Sequence, residues 1–293
     1  MQNCNKMIHD ITDIMHRSRP LVMGIVNVTP DSFYADSRAT EADVIERRVR
    51  QMADEGADII DLGACSTRPG SQPPTADEEL RRLELAMQCV RRAAPGIITS
   101  VDTWRASVAR HCVEALGVDI VNDVSGGTLD PDMWPTVARL GVPYVLMHMR
   151  GTPATMQSLT NYTDVVTDVA DELAEKLAAL RQMGVEHVIL DPGFGFAKTL
   201  QQNYQLLAGL EQLHKLGAPL LVGVSRKSMI YKALDITPDE ALTGTTVINT
   251  IALMHGAHIL RVHDVKAAVQ AVALTQFTRQ AQNETRTHTL NTI

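Results

Sequence analysis

The chain has 293 residues, 45% of them hydrophobic, and a formal net charge of −7. That is an ordinary globular composition, and its acidic balance argues against a nucleic-acid surface, so any anionic ligand must be met by a local basic cluster. No apolar run approaches the ~18 residues a membrane span needs, the start "MQNCNKMIHD" has no signal-peptide core, and Cys4, Cys65, Cys89 and Cys112 show neither close pairing nor metal-type spacing, so a reduced, cytoplasmic protein is expected.

In chain order, short apolar runs alternate with helical segments. The predicted strands are 21–29, 57–65, 96–103, 119–126, 143–149, 188–195, 219–225 and 257–264. They are apolar on both alternations, as parallel strands covered on both faces are. Between the second and third, Thr75 and Glu78 spell a capping box that opens a helix. Residues 163–184 have apolar positions at helical spacing and end on Gly184. Gly56, Gly117, Gly141, Gly217 and Gly256 each stand between a helix and the next strand. Eight such alternations point to a (β/α)8 TIM barrel, with an open doubly wound sheet as the competing arrangement. Residues 21–280 are expected to form this single domain. Residues 1–20 would be an extension across its bottom or a tail, and 281–293 a C-terminal tail.

In such a barrel the active site lies at the C-terminal ends of the strands. Side chains alternate with period two. Arg261 and His263 share a face with Ile259, Asp191 with Ile189, Asn122 with Ile120, Asn27 with Ile25, and Asp102 with Ser100 and Ile98. Gly223, Ser225 and Lys227 form a row if the seventh strand stays extended. Asn27, Asp61, Asp102, Asn122, Asp191, Lys227, Arg261 and His263 can therefore converge on one mouth. A lone Asp102 reads equally well as the cap of a helix starting near Trp104. Eight polar strand ends on one parity would need eight separate structural reasons. Asp123 has the opposite parity and reads as structural.

Carboxylates, an amide and a lysine suit a flat, nitrogen-rich heterocycle, since a carboxylate accepts two parallel N–H bonds from an aminopyrimidinone edge. Arg68, Arg261 and His263 form a separate basic set suited to phosphate. The segments after strands one and two, "NVTPDSFYADSRAT" and "STRPGSQPPT", exceed ordinary connections of 2–6 residues. Phe33 sits in the first of them, where it covers a ligand or packs on the loop's own base.

The motifs "NVTPDSF", "STRPG", "SVDT", "VNDVSG", "LMHMRGTP", "ILDPGFGF", "LLVGVSRKSMI" and "RVHD", in this order between about residues 20 and 275, resemble dihydropteroate synthases. The resemblance implies condensation of 6-hydroxymethyl-7,8-dihydropterin diphosphate with 4-aminobenzoate, giving 7,8-dihydropteroate and diphosphate in folate synthesis. It implies Asp102, Asn122, Met147, Asp191 and Lys227 at the pterin, with Asp102, Asp191 and Lys227 catalytic. Asn27, Arg68, Arg261 and His263 would hold diphosphate, with Asn27 also on Mg²⁺. Phe33, Thr67, Arg68, Pro69 and Ser225 would line the aminobenzoate side. It further implies small-molecule substrates, no nucleic-acid or membrane partner, and a homodimer by family analogy. Cys65 stands where related sequences commonly carry Glu, and Asp36 lies one position later than the usual loop acid. The rival readings are a folate-dependent methyltransferase of similar barrel, which would not need the diphosphate set, and a non-catalytic pterin-binding protein.

Overall fold

The computed structural model describes residues 14–28, 38–65, 73–152 and 154–290. Eight strands carry the fold: β1 (Leu21–Asn27), β2 (Ile59–Gly63), β3 (Ile98–Asp102), β4 (Ile120–Asp123), β5 (Tyr144–Met147), β6 (Val188–Asp191), β7 (Leu221–Val222) and β8 (Ile259–Val262). The α-helices among the described residues are α1 (Arg38–Asp54), α2 (Ala76–Ala93), α3 (Ala106–Glu114), α4 (Met133–Leu140), α5 (Val165–Gln182), α6 (Leu200–Ala208), α7 (Ser228–Leu234), α8 (Leu242–Met254) and α9 (Val265–Leu290). The strands pair in parallel in the order β6-β5-β4-β3-β2-β1-β8-β7. A parallel bridge between Leu190 and Leu220, with Leu190 N–H donating to Pro219 O at 2.8 Å, joins the two edges and closes the barrel.

The double apolar alternation has the expected cause. One parity of each strand fills the barrel: Leu21, Met23, Ile59, Ile98, Ile120, Val145, Ile189, Leu221 and Ile259 form one buried cluster. The other parity, including Val22, Ile60, Leu62, Val121 and Leu146, packs under the helices. Ile14, on a 3₁₀ turn at Ile14–His16, joins the inner cluster and covers the barrel bottom. Gly24 marks a close approach, because a Cβ there would lie 2.8 Å from the Met52 sulfur on α1 and 3.1 Å from Val265 on α9. Burial of this scale is what drives a chain of this length to one core.

Local details differ from the sequence reading in instructive ways. Thr75 does accept the Glu78 N–H at 3.3 Å, but the Glu78 carboxylate turns to Arg81 and Arg82, so only half the capping box forms. Gly56, Gly117, Gly141, Gly184, Gly217 and Gly256 all have positive φ, as helix-to-strand turns favour. The seventh strand stops at Val222 rather than continuing through Ser225, and Arg226 turns the chain with φ 54°. Lys227 therefore stands one residue before α7, not at the end of an extended row.

Candidate active site

Strand register sets the site. Asn27, Gly63, Asp102 and Asn122 stand opposite one another across β1 to β4, and Met147 stands opposite Asp191 across β5 and β6. These positions share parity with the inner cluster, so the polar residues continue the core toward the C-terminal mouth. Asp102 caps no helix. The first N–H of α3, on Ala106, is taken by Asp130 at 2.8 Å.

Arg261 is the hub. Its Nε donates to Asp61 Oδ2 at 2.7 Å and its Nη2 to Asp102 Oδ2 at 2.7 Å. Asn122 Nδ2 donates to the same Asp61 oxygen at 3.1 Å. Asp61 is fully buried, and its Oδ1 and the Ser100 hydroxyl have no hydrogen-bond partner among the described residues. Burial pushes the Asp102 carboxyl up to about 7; the guanidinium opposes that shift, and the negative charge of Asp61 adds to it. Arg261 is itself held firmly charged, because the attraction of Asp61 and Asp102 outweighs burial.

Across the mouth, Asp191 is 6% exposed and its Oδ1 accepts the Gly193 N–H at 2.8 Å. Burial raises its carboxyl above the usual range, while Lys227 and that N–H act against the rise. Lys227 Nζ donates to Phe194 O at 2.7 Å and lies 4.7 Å from the centre of the Phe196 ring. Burial brings its ammonium down to about 8, with Asp191 opposing. Met147 packs beside them with Val124, Met149, Met156 and Phe196.

His263 differs from the cation of the sequence reading. Burial and the neighbouring Arg261 lower it to about 4, so the ring is neutral at pH 7. Its Nδ1 lies 3.0 Å from Ser225 Oγ, which also accepts the His263 backbone N–H at 3.1 Å. Ser225 is thus paired with the basic side of the mouth. His263 can offer a neutral hydrogen bond to an anion, and the permanent charge there is Arg261. Arg48 on α1 also reaches this edge, donating to His263 O at 2.5 Å. Asn27 is exposed at the mouth. Phe33, Thr67, Arg68 and Pro69 lie outside the described residues, as does Asp36.

Asp123 is structural, as its parity implied. Its carboxylate accepts from Ser125 N and Oγ, Gly127 N and Tyr144 Oη, at 2.7–2.8 Å. Cys65 neighbours Arg105, whose guanidinium also holds the buried Glu79 and donates to Pro74 O at 2.7 Å. Sequence reasoning missed Arg48, Phe196, and the buried pair His148 and Lys198. Lys198 had a signal: a lysine two residues past "GFGF", a stretch too rich in glycine to hold its own shape.

Barrel, mouth and chemistry together define a class, and comparison with known proteins agrees with it. The family model described as pterin-binding enzyme matches residues 23–263. A dihydropteroate synthase of Synechocystis is 44% identical over 255 residues, covering 86% of this chain and 88% of that protein. A Yersinia pestis dihydropteroate synthase, solved as a sulfonamide drug complex, superposes with a TM-score of 0.83 at 39% identity, covering 90% of this chain and 95% of that one. The Xanthomonas albilineans enzyme, solved with 4-aminobenzoic acid, gives 0.82 at 39% identity over 89% and 93%. The chain belongs to the dihydropteroate synthase family, transferases of folate biosynthesis.

Proposed function

We propose that this chain condenses 6-hydroxymethyl-7,8-dihydropterin diphosphate with 4-aminobenzoate, with the residue roles that follow. The observation that carries the reading is the convergence of Asp102, Asn122, Asp191 and Lys227 with Arg261 at one barrel mouth. Asp102, Asn122, Asp191 and Lys227 meet the polar edges of the pterin, and Met147 lines its slot. The C–O bond to diphosphate breaks, and the electron pair leaves with the phosphate oxygen. Positive charge develops at the exocyclic methylene and spreads into the ring, where the buried carboxylates favour it. The aromatic amine, neutral near pH 7, forms the C–N bond and then loses a proton. Arg261 and the neutral His263, with Arg68, meet the diphosphate. Nε and Nη2 of Arg261 are committed to Asp61 and Asp102, which leaves Nη1 as the guanidinium donor toward the leaving group. The discriminating assay is diphosphate release that requires both substrates. The methyltransferase and non-catalytic readings forbid it.

Asn27 fits a hard divalent ion. The Cβ that Gly63 lacks would stand 3.3 Å from Asn27 Oδ1 and 3.8 Å from Asp102 Oδ2, so glycine leaves this oxygen-lined corner open. The described residues contain no cluster of three or more His, Cys, Asp or Glu side chains suited to a metal. That suits Mg²⁺, which keeps its waters and uses one or two protein oxygens beside substrate phosphates. When bound, Mg²⁺ would neutralise charge on the diphosphate. Chelator is expected to abolish turnover, and Mg²⁺ to restore it; full activity in verified metal-free buffer would remove Asn27 from this role.

The aminobenzoate side draws on Phe33, Thr67, Arg68 and Pro69 with Ser225. Diphosphate bound at Asn27 and Arg261 would favour binding of 4-aminobenzoate at the same mouth. Calorimetry should then find no micromolar binding of 4-aminobenzoate to the free protein, and tight binding once pterin and diphosphate are present. Sulfonamides should compete in the second state only. Micromolar binding without diphosphate would refute this order.

A homodimer is part of the same proposal. The neighbouring helices α8 and α9 leave Val247, Ile251 and Met254 exposed on one and Leu274 and Phe277, at 68% and 70%, on the other. Apolar side chains so close together suit an interface. Sedimentation should report a dimer and Phe277→Asp a monomer. A cytoplasmic location is supported by free thiols at Cys65, Cys89 and Cys112. No helix among the described residues is long and apolar enough to cross a membrane.

A further inference from the structure

Beneath the mouth lies a buried lysine that the proposed chemistry does not use. Lys198 is 4% exposed, and its Nζ sits 3.0 Å from His148 Nδ1, 3.0 Å from Gly193 O and 3.1 Å from Phe196 O. Three acceptors saturate an ammonium; a neutral amine has only two N–H groups. A charged Lys198 and a neutral His148, with Nδ1 accepting, satisfy all three contacts. Burial, with Lys198 close by, holds His148 down at about 4. His148 Nε2 then donates to Glu172 at 3.0 Å, and Arg150 holds the same carboxylate at 2.9 Å. Burial lowers Lys198 to about 7, with Asp191 the leading charge that opposes the shift.

The segment these bonds hold is the one that carries the pterin contacts. Gly193, Gly195 and Ala197 have φ of 71°, 82° and 48°, so no regular backbone pattern can support it. Gly193 N–H fixes Asp191, Phe194 O receives Lys227, and the Phe196 ring faces Lys227. The fit is tight on the His148 side: a Cβ at Gly193 would meet His148 O at 2.0 Å. His148 N–H in turn donates to Asp191 O at 2.9 Å.

We infer that Lys198, locked by His148 and Glu172, is a positioning residue of the pterin site: it ties the carbonyls of Gly193 and Phe196 so that Asp191 and Lys227 face the ring together. The inference rests on the proposed pterin roles of Asp191 and Lys227. It distinguishes the two halves of one substrate, because Asn27 and Arg261 lie on β1 and β8, His263 follows β8, and the hydrogen bonds of Arg261 and His263 run to Asp61, Asp102 and Ser225 and not to this segment. Lys198→Met keeps the side-chain length and removes the ammonium. His148→Asn retains an acceptor near the Nδ1 position, whereas His148→Ala does not.

The experiment is titration of each folded variant with the pterin diphosphate and, separately, with inorganic diphosphate plus Mg²⁺. Lys198→Met and His148→Ala are expected to lose at least about tenfold in pterin diphosphate affinity while inorganic diphosphate stays within about threefold. His148→Asn should recover most of the loss. If Lys198→Met does not fold, the two His148 variants carry the same comparison. Equal losses for both ligands, or none for either, would overturn the inference. Absent wild-type binding of the pterin diphosphate would instead overturn the reaction assignment, and the inference with it. Wild-type binding with unchanged variant ratios overturns the inference alone.

Discussion

Asp191→Asn is expected to fold as the parent does and to lose roughly 30- to 150-fold in kcat/KM for the pterin diphosphate, about 2–3 kcal/mol of transition-state binding. The argument is one of donors and acceptors. Oδ1 of Asp191 is committed to the Gly193 N–H at 2.8 Å. Oδ2 lies 3.9 Å from the Cβ position that Gly223 leaves empty, on the open side. The amide keeps an acceptor for Gly193, and this preserves the loop. It then presents its NH₂ where the free oxygen stood, toward a substrate edge that itself donates. A charge-assisted bond becomes a donor–donor contact, and the anion facing the developing methylene charge is gone. Asp102→Asn should fall by a similar factor for the second reason. Steady-state kinetics with both substrates decide it, and near-normal turnover in both variants would sink the pterin assignment.

Much of this site was legible because a strand has period two. Once Ile259 is assigned to the barrel interior, Arg261 and His263 must follow it. The same logic aligns Asp191 with Ile189 and Asn122 with Ile120, and the inner cluster holds all three isoleucines. What period two cannot give is pairing. Arg261 and Asp61 are 200 residues apart, and nothing local announces that one guanidinium serves both Asp61 and Asp102. Nor does sequence reveal charge state. His263 reads as a cation until burial beside Arg261 makes it neutral. Lys227 reaches the mouth although its strand ends early, because Arg226, tied to Asp264 at 2.9 and 3.0 Å, turns the chain back toward it. Lys198 and His148 stayed hidden for a related reason. Their contact spans 50 residues through a segment whose shape depends on positive φ.

Arg261→Met should cost about 3–5 kcal/mol of stability near neutral pH and raise the KM for the pterin diphosphate by on the order of 100-fold. The stability loss exceeds that of a surface ion pair because two buried carboxylates share this one guanidinium, and Asp61 is fully buried. Without it Asp102 faces Asp61 with no compensating cation, so its carboxyl rises beyond the value of about 7 it has beside Arg261. Below pH 7 Asp102 holds its proton in both proteins. Above pH 7 the wild-type group ionises against Arg261 while the folded variant retains the proton that its unfolded chain has released. Stability falls with pH wherever the folded state binds more protons than the unfolded state. The deficit of the variant must therefore be smaller at pH 6 than at pH 9, and urea unfolding of both proteins at the two values measures it. The same substitution takes the permanent charge from the diphosphate side of the mouth, so binding of inorganic diphosphate should weaken together with the pterin substrate. A deficit independent of pH would mean that Arg261 stabilises the barrel by packing alone. Unchanged diphosphate binding would remove it from the leaving-group site.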